Sequence, residues 1–191
     1  MYIRGTTEGQ TIFQDTKLDL VEVREGRASV LVPRQALKGK LKGSIVFYNP
    51  VMELNRDLSV LALESYRKST SHDVTVLDAM TGCGIRGIRY AMEVENLARV
   101  ALNDIRMTAS NLARQNVEKN RVEDRTEVTC SDANLVLALH SLPHNRFDVV
   151  DLDPFGSPAP LLDSAVRAAS DNGLIALTAT DMPPLCGIRP K

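Results

Sequence analysis

The sequence contains no tryptophan, only 4% aromatic residues, and three cysteines. Cys83, Cys130 and Cys186 are odd in number and widely spaced, so they form neither a disulfide framework nor a metal-ligand pattern. That excludes a stapled secreted scaffold, offers no metal ligands, and fits a reducing, cytoplasmic setting. No run of about 18 apolar residues occurs, so no membrane span is expected. The N-terminus also lacks the charged-then-apolar pattern of a signal peptide. Neither sign of charge is in excess, with 23 Lys and Arg against 24 Asp and Glu, a net charge of -1. A polyanionic partner would therefore have to be held by a local basic patch, not by the field of the whole molecule. Internal repeats and low-complexity segments are absent as well.

What is present is enough for one domain with a sizeable core, since 43% of the 191 residues are hydrophobic and 25% charged. Residues 1–16 are polar and without period. Leu18 to Val23 and Ala28 to Val32 alternate around Glu25-Gly26-Arg27, a hairpin signal. The stretch from Pro33 to Ser44 holds Arg34, Lys38, Lys40 and Lys42, the one concentrated basic segment; its composition suits a solvated loop as well as a phosphate contact. Asn49 is placed to cap a helix that opens at Pro50 and carries Leu54, Leu58 and Leu61 on one face. Beyond a polar break at Ser69 to Asp73, strands alternate with helices. Strands are expected at Val74 to Ala79, Arg99 to Asn103, Thr126 to Cys130, Phe147 to Leu152 and Leu174 to Thr180. Helices fall between them at Ile85 to Glu95, Thr108 to Lys119, Ala133 to Leu142 and Leu161 to Ala169. This order predicts an α/β fold, a doubly wound, mostly parallel Rossmann-like sheet with right-handed crossovers. Residues 1–70 form an N-terminal extension of hairpin, basic loop and helix, and 71–191 the sheet domain.

Two stretches carry chemistry. Gly82-Cys-Gly84-Ile-Arg-Gly87 is a G-x-G-x-x-G loop between a strand and a helix, and Asp104 ends the next strand about twenty residues further on, where an acid can hold ribose hydroxyls. Asp78-Ala-Met-Thr81 separates the strand from the glycines, and a carboxylate at that mouth suits a cationic ligand better than a pyrophosphate. S-adenosylmethionine, with an amino group and a sulfonium, is such a ligand. Asp132, after the third strand, can accept the adenine amino group. Each acid taken singly also reads as a helix cap or turn residue. The second stretch is Asp148-Val-Val-Asp-Leu-Asp-Pro-Phe-Gly156, a buried strand that ends in an acid, a proline, an aromatic ring and a glycine. In open α/β sheets, ligands collect beyond such strand ends.

With these residues in place, the sequence resembles the tRNA (guanine-26-N2)-dimethyltransferase family. The resemblance rests on Phe47-Tyr-Asn-Pro-Val-Met-Glu-Leu-Asn-Arg-Asp57, on Leu77-Asp-Ala-Met-Thr-Gly-Cys-Gly-Ile-Arg-Gly-Ile-Arg89, on Asp151-Leu-Asp-Pro-Phe-Gly-Ser-Pro158, and on Leu162 to Arg167 with Thr178-Ala-Thr-Asp181. It implies that Arg56 and Arg86 contact the methionine end or frame of S-adenosylmethionine, Asp104 the ribose, and Asp132 with Ala133 the adenine. Phe47, Asp78, Gly82, Gly84 and Ile105 complete the implied cofactor set. Asp153, Pro154 and Phe155 would act on the guanine of a tRNA: the acid and the Pro154 carbonyl orient its exocyclic amine, and the ring stacks on the base. Cys83 departs from the small Ser, Ala or Thr expected within the glycine loop. Relatives also carry a further C-terminal domain, so this sequence is expected to stop short of one. Its last predicted strand would then be an apolar edge open to pairing with a partner. Other readings are an amino-directed methyltransferase acting elsewhere on RNA or on DNA adenine, a silent S-adenosylmethionine- or tRNA-binding module, and, more remotely, a dehydrogenase.

Overall fold

A computed structural model describes residues 18–37, 46–180 and 186. The basic positions Lys38, Lys40 and Lys42, and nearly all of the proline-bearing tail, lie outside them. An antiparallel hairpin, β1 (Leu20–Glu25) and β2 (Ala28–Pro33), comes first, followed by one helical turn, α1 (Arg34–Leu37). A 3₁₀ turn at Pro50–Met52 leads into α2 (Glu53–Ser69), and the Asn49 side chain caps that turn by accepting from the Val51 amide. Then come β3 (Val74–Asp78), α3 (Ile85–Glu93), β4 (Leu97–Asp104), α4 (Met107–Asn120), β5 (Thr126–Cys130), α5 (Ala133–Leu139), β6 (Phe147–Leu152), α6 (Leu162–Ala168) and β7 (Ala169–Leu177).

The five strands of the main sheet run parallel in the order β5-β4-β3-β6-β7. Their side chains alternate between two cores. From β3 and β4, Val76, Val100 and Leu102 face α3, α4 and the hairpin, while Leu77 and Ala101 face α5 and α6. Burial on both faces is why these strands are continuous apolar runs. The chain winds outward from β3 to β5 and returns to β6 on the other side, so the switch point lies beyond the C-terminal ends of β3 and β6.

The hairpin is fastened to the sheet domain by amides one helical turn apart on α4. Asn116 accepts from the Leu31 amide at 2.7 Å and donates to its carbonyl at 3.0 Å. Asn120 does the same for Ser29 at 2.9 and 2.8 Å. The edge of β2 is thus satisfied by side chains where, among the described residues, no further strand pairs with it.

Three expectations change. Leu54, Leu58 and Leu61 share a face of α2, but they are 68%, 57% and 66% exposed; the inner face carries Arg56, Val60 and Leu63. The helix turns this way because Arg56 is needed inside as the counter-ion of Glu25. Helix α5 stops at Leu139 and not at Leu142, because Pro143 disfavours helical backbone at the residue before it. Helix α6 ends at Ala168, and β7 begins at once at Ala169. The β6 to β7 register jumps from Phe147↔Ala169 to Val149↔Leu174, with the extra residues bulging through Asn172 at φ 63°. That bulge at Asn172-Gly173 had hidden the start of the strand. Strands β5 and β7 stand at the two edges.

Candidate active site

Asp153 follows β6 directly at the switch point. Its Oδ2 accepts from Arg86 Nη2 at 2.6 Å. Arg86 comes from the first turn of α3, and two polar groups of α2 hold the same guanidinium: Ser59 Oγ accepts from Nη1 at 2.6 Å and Asn55 Oδ1 from Nη2 at 2.8 Å. The side chains of Arg86 and Asp153 are 5% and 16% exposed, so the pair is largely shielded from water. A bond in that setting fixes the orientation of the carboxylate far better than a surface pair does.

Behind Asp153 lie two further acids, Asp78 and Asp151, partners in the β3 to β6 register and both buried. Asp78 Oδ2 accepts from Thr81 Oγ1 at 2.7 Å and from the Gly87 amide at 3.2 Å. The Tyr90 hydroxyl donates to Asp151, and Arg86 Nη1 is 3.8 Å from Asp151 Oδ2. Burial, reinforced by the neighbouring Asp151, pushes the Asp78 carboxyl up to about 7. Burial also raises Asp151, against the pull of Arg86. Burial alone would weaken the charge on Arg86, but Asp151, Tyr90, Asp153 and Asp78 more than offset it, and its pKa rises.

Phe155 is 73% exposed at the mouth. Its ring stands edge-on to Phe47 with centroids 4.7 Å apart. Gly156, at φ 89°, turns the chain back; its amide donates to Thr180 Oγ1 at 3.0 Å and its carbonyl accepts from the Thr180 amide at 3.1 Å.

Beside this loop opens a cleft of about 280 Å³. Asp104 stands on one wall, its Oδ2 accepting from the Gly82 amide at 2.9 Å and its Oδ1 from the Arg106 amide at 2.9 Å. Asp132 stands further along, capping α5 through the Leu135 amide while still bordering the cleft. Met80, Ile105, Ala133 and Leu161 supply apolar surface. Pre-oriented acids between apolar walls suit a nucleoside, with polar hydroxyls at one end and a flat base at the other. The positive φ of Gly82 and Gly84 makes the turn below possible.

The structure brings Phe47, Gly82, Asp104, Ile105, Asp132, Ala133, Asp153, Pro154 and Phe155 together around the cleft. Asp78, Gly84, Arg56 and Arg86 do not border it. Asp78 was expected at the mouth; instead its carboxylate is turned under the glycine loop, where Thr81 and Gly87 hold it. A Cβ on Gly84 would press on Ala113 and Ile88 at 3.2 Å, so this glycine serves packing. Arg56 is 3% exposed and pairs with Glu25. Met52, Arg106 and Thr180 also border the cleft, although the sequence reading gives none of them a site role. A register-based reading of the segment leaving the last strand could have found Thr180.

Residues 26–191 match the family described as N2,N2-dimethylguanosine tRNA methyltransferase. A tRNA (guanine(26)-N(2))-dimethyltransferase of Methanobrevibacter smithii is 46% identical over 142 residues, covering 74% of this chain and 36% of that protein. The one from Pyrobaculum islandicum is 45% identical over 174 residues, covering 91% and 47%. Among solved structures, Pyrococcus horikoshii Trm1 in complex with S-adenosyl-L-methionine aligns with a TM-score of 0.76 at 38% identity, over 90% of this chain and 46% of that one. A tRNA m1G37 methyltransferase of M. jannaschii shares the fold alone, with a TM-score of 0.64 at 18% identity. The chain spans less than half the length of these relatives.

Proposed function

The chain belongs to the N2,N2-dimethylguanosine tRNA methyltransferase family, and on that premise we propose that it binds S-adenosylmethionine and methylates the exocyclic N2 of a guanine in tRNA, at position 26, to N2-methyl- and N2,N2-dimethylguanine. The observation that carries the reading is the placement of Asp153. Held at 2.6 Å by Arg86, it stands beside an exposed aromatic ring at the rim of a nucleoside-sized cleft whose wall carries Asp104.

The residues of the cleft fit the cofactor. Asp104 has both oxygens anchored by backbone amides, which leaves further lone pairs for a ribose diol. Ala133 and Ile105 border the space an adenine would fill. Bound there, S-adenosylmethionine supplies an electrophilic methyl group, the S–CH3 electron pair returning to sulfur as it leaves. The protein's task is to make N2 of guanine a competent nucleophile, since its lone pair is delocalised into the ring. The Asp153 carboxylate accepts one N–H and the Pro154 carbonyl the other, which turns the lone pair towards the methyl group. As the N–C bond forms, the amine becomes acidic and Asp153 takes the released proton, passing it to water. Strong basicity is unnecessary for so late a transfer. Phe155 stacks on the base after it leaves the tRNA stack, a contact of roughly 1 to 3 kcal/mol against an extrusion cost of a few. In a second methyl transfer Asp153 accepts the one remaining N–H and then takes its proton. In this reading the hairpin and α2 brace the catalytic domain, and the enzyme acts in the cytoplasm.

The test is reaction of unmodified tRNA with labelled cofactor, mapping of the methylated nucleoside, and comparison with Asp153→Asn. The amide fills the same space but cannot take the proton, so methyl transfer should fall at least ~100-fold. The cofactor dissociation constant should move by no more than about threefold, because Asp153 does not hold the ribose or adenine. Activity of the variant within tenfold of the parent, or label on a base other than guanine, would overturn the assignment.

A further inference from the structure

The loop that carries Asp153, Pro154 and Phe155 is fastened at both ends. At the acid end the fastening is Arg86, held in turn by Asn55 and Ser59. At the glycine end it is Thr180, which closes a ring of two hydrogen bonds with Gly156, one through its hydroxyl and one through its amide. One step earlier the Thr178 amide donates to the Leu152 carbonyl at 2.9 Å, so the segment leaving β7 runs alongside the loop from Leu152 to Gly156.

Gly156 is exposed to conformational freedom in a way its neighbours are not. A Cβ built on it meets nothing within 4 Å, so the glycine is there for its positive φ and not for space. A glycine in open space has the widest choice of backbone angles of any residue. The proline before Phe155 has its φ fixed near -65°, which leaves Gly156 as the point where the loop can swing. The Thr180 hydroxyl accepts at that point. It is exposed and borders the cleft, so water could satisfy the Gly156 amide in its absence. Its bond therefore contributes direction to the loop more than stability to the fold.

We infer that Thr180 is a positioning residue for methyl transfer, its hydroxyl fixing Gly156 so that Phe155 and Asp153 meet the base in a single arrangement. The inference rests on the function proposed above. A displacement of about 1 Å at a reacting group can cost on the order of a hundredfold in rate, and a loop loosened at one of its two ties should lose part of that.

Thr180→Val keeps the shape and removes the acceptor, while Thr180→Ser keeps it. Hydrogen exchange at the Gly156 amide should quicken about tenfold in the valine variant and stay within about threefold in the serine variant. In the same proteins kcat for transfer to tRNA guanine should fall about tenfold with valine and recover with serine, while KM for tRNA and the cofactor dissociation constant stay within about twofold. Should the valine variant not fold, Thr180→Ala removes the same hydroxyl and takes its place. Unchanged exchange at Gly156 overturns the clamp whether or not the chain is active. Quickened exchange with kcat within twofold, or loss of kcat in the serine variant too, overturns the positioning role and leaves the proposed function standing. A folded parent that binds cofactor but methylates no guanine overturns that function and the role together, with the exchange measurement still deciding the clamp.

Discussion

Replacing Glu25 with glutamine should cost about 3 kcal/mol of stability, near the lower end of the 3–5 kcal/mol found when one partner of a buried pair is removed. Glu25 ends β1 at 1% exposure. Its Oε1 accepts from Arg56 Nε at 2.6 Å and Arg89 Nη1 at 3.0 Å, and its Oε2 from Arg56 Nη2 at 2.7 Å and the Tyr48 hydroxyl at 3.3 Å. The two arginines are not equally dependent on it. Arg89 keeps Glu93 at 2.8 Å and Asp57 at 2.7 Å. Arg56 keeps the Asn49 carbonyl at 3.1 Å and the face of the Tyr48 ring, neither of them an anion, so it becomes a buried cation without a counter-ion. The amide would also aim an N–H at guanidinium donors. In urea the midpoint should fall while the slope stays constant. The loss should depend on pH. Burial pushes the Glu25 carboxyl up, but Arg56 and Arg89 outweigh it and hold its pKa below the usual range. A depressed folded pKa gives stability that is full above the unfolded value and drains as pH falls through the folded one. The gap between parent and variant should therefore begin to close below about pH 4 and close fully only once the pH has passed the lower folded value. A loss under 1 kcal/mol at pH 7, or one that does not shrink in acid, would refute the reasoning. Neutralising both ends, as in Glu25→Leu with Arg56→Met, should recover much of the loss, because the desolvation of both charges is then avoided.

Three further outcomes are expected. Asp104→Ala should weaken cofactor binding by about 1.5 to 3 kcal/mol by calorimetry through loss of charge-assisted bonds to ribose; an unchanged constant would move the ribose contact elsewhere. Leu58→Glu should change stability by no more than about 0.5 kcal/mol, whereas Leu63→Ala should cost about 2 to 5 kcal/mol; the reverse order in urea would mean that α2 is turned the other way. Asp78 is raised from 3.8 to about 7 by burial and Asp151, so between those values the folded state holds a proton the unfolded state has released, and stability falls as pH rises towards about 7 and levels off above it. Melting temperatures between pH 5 and 8 should show that fall in the parent and a flatter profile in Asp78→Asn; parallel profiles would sink the assignment.

Much of the architecture was legible because it rests on local rules. The span Phe147 to Leu152 matches the observed strand end to end, since an apolar β-branched run closed by Pro154 and Gly156 has little else to become. The same holds for Thr126 to Cys130. What was not legible depends on partners distant in sequence. Nothing in α2 says that Arg56 lies inward and Leu58 outward, because the cause is a carboxylate on β1. The bulge at Asn172 needs the left-handed backbone of one residue, which composition only hints at. At the site, glycine spacing and strand-end acids located the cleft, but they could not separate acids that face it from acids that support it. Asp104 and Asp132 face it, and each also accepts from backbone amides, so a capping role does not exclude a place on the cleft wall.

Asp78 shows how a conclusion can survive the failure of its first reason. The sequence offers the acid that ends β3 as a ligand for a cationic cofactor, and the structure turns it under the loop instead. The amide it receives there belongs to Gly87, within the first turn of α3. Amides of that turn lack intrahelical acceptors, and in dinucleotide-binding sheets they are what a pyrophosphate binds. Here one of them is already satisfied by a buried acid, and a Cβ on Gly87 would lie 2.8 Å from Leu102 and 3.3 Å from that same carboxylate. The third glycine therefore lets the helix settle on the sheet and on Asp78, not on a phosphate. A pyrophosphate brought to this turn would face a carboxylate in place of a free amide. The preference for a cofactor without phosphates thus follows from where Asp78 is buried, while in the proposed function recognition of that cofactor is assigned to Asp104 and the apolar walls beside it.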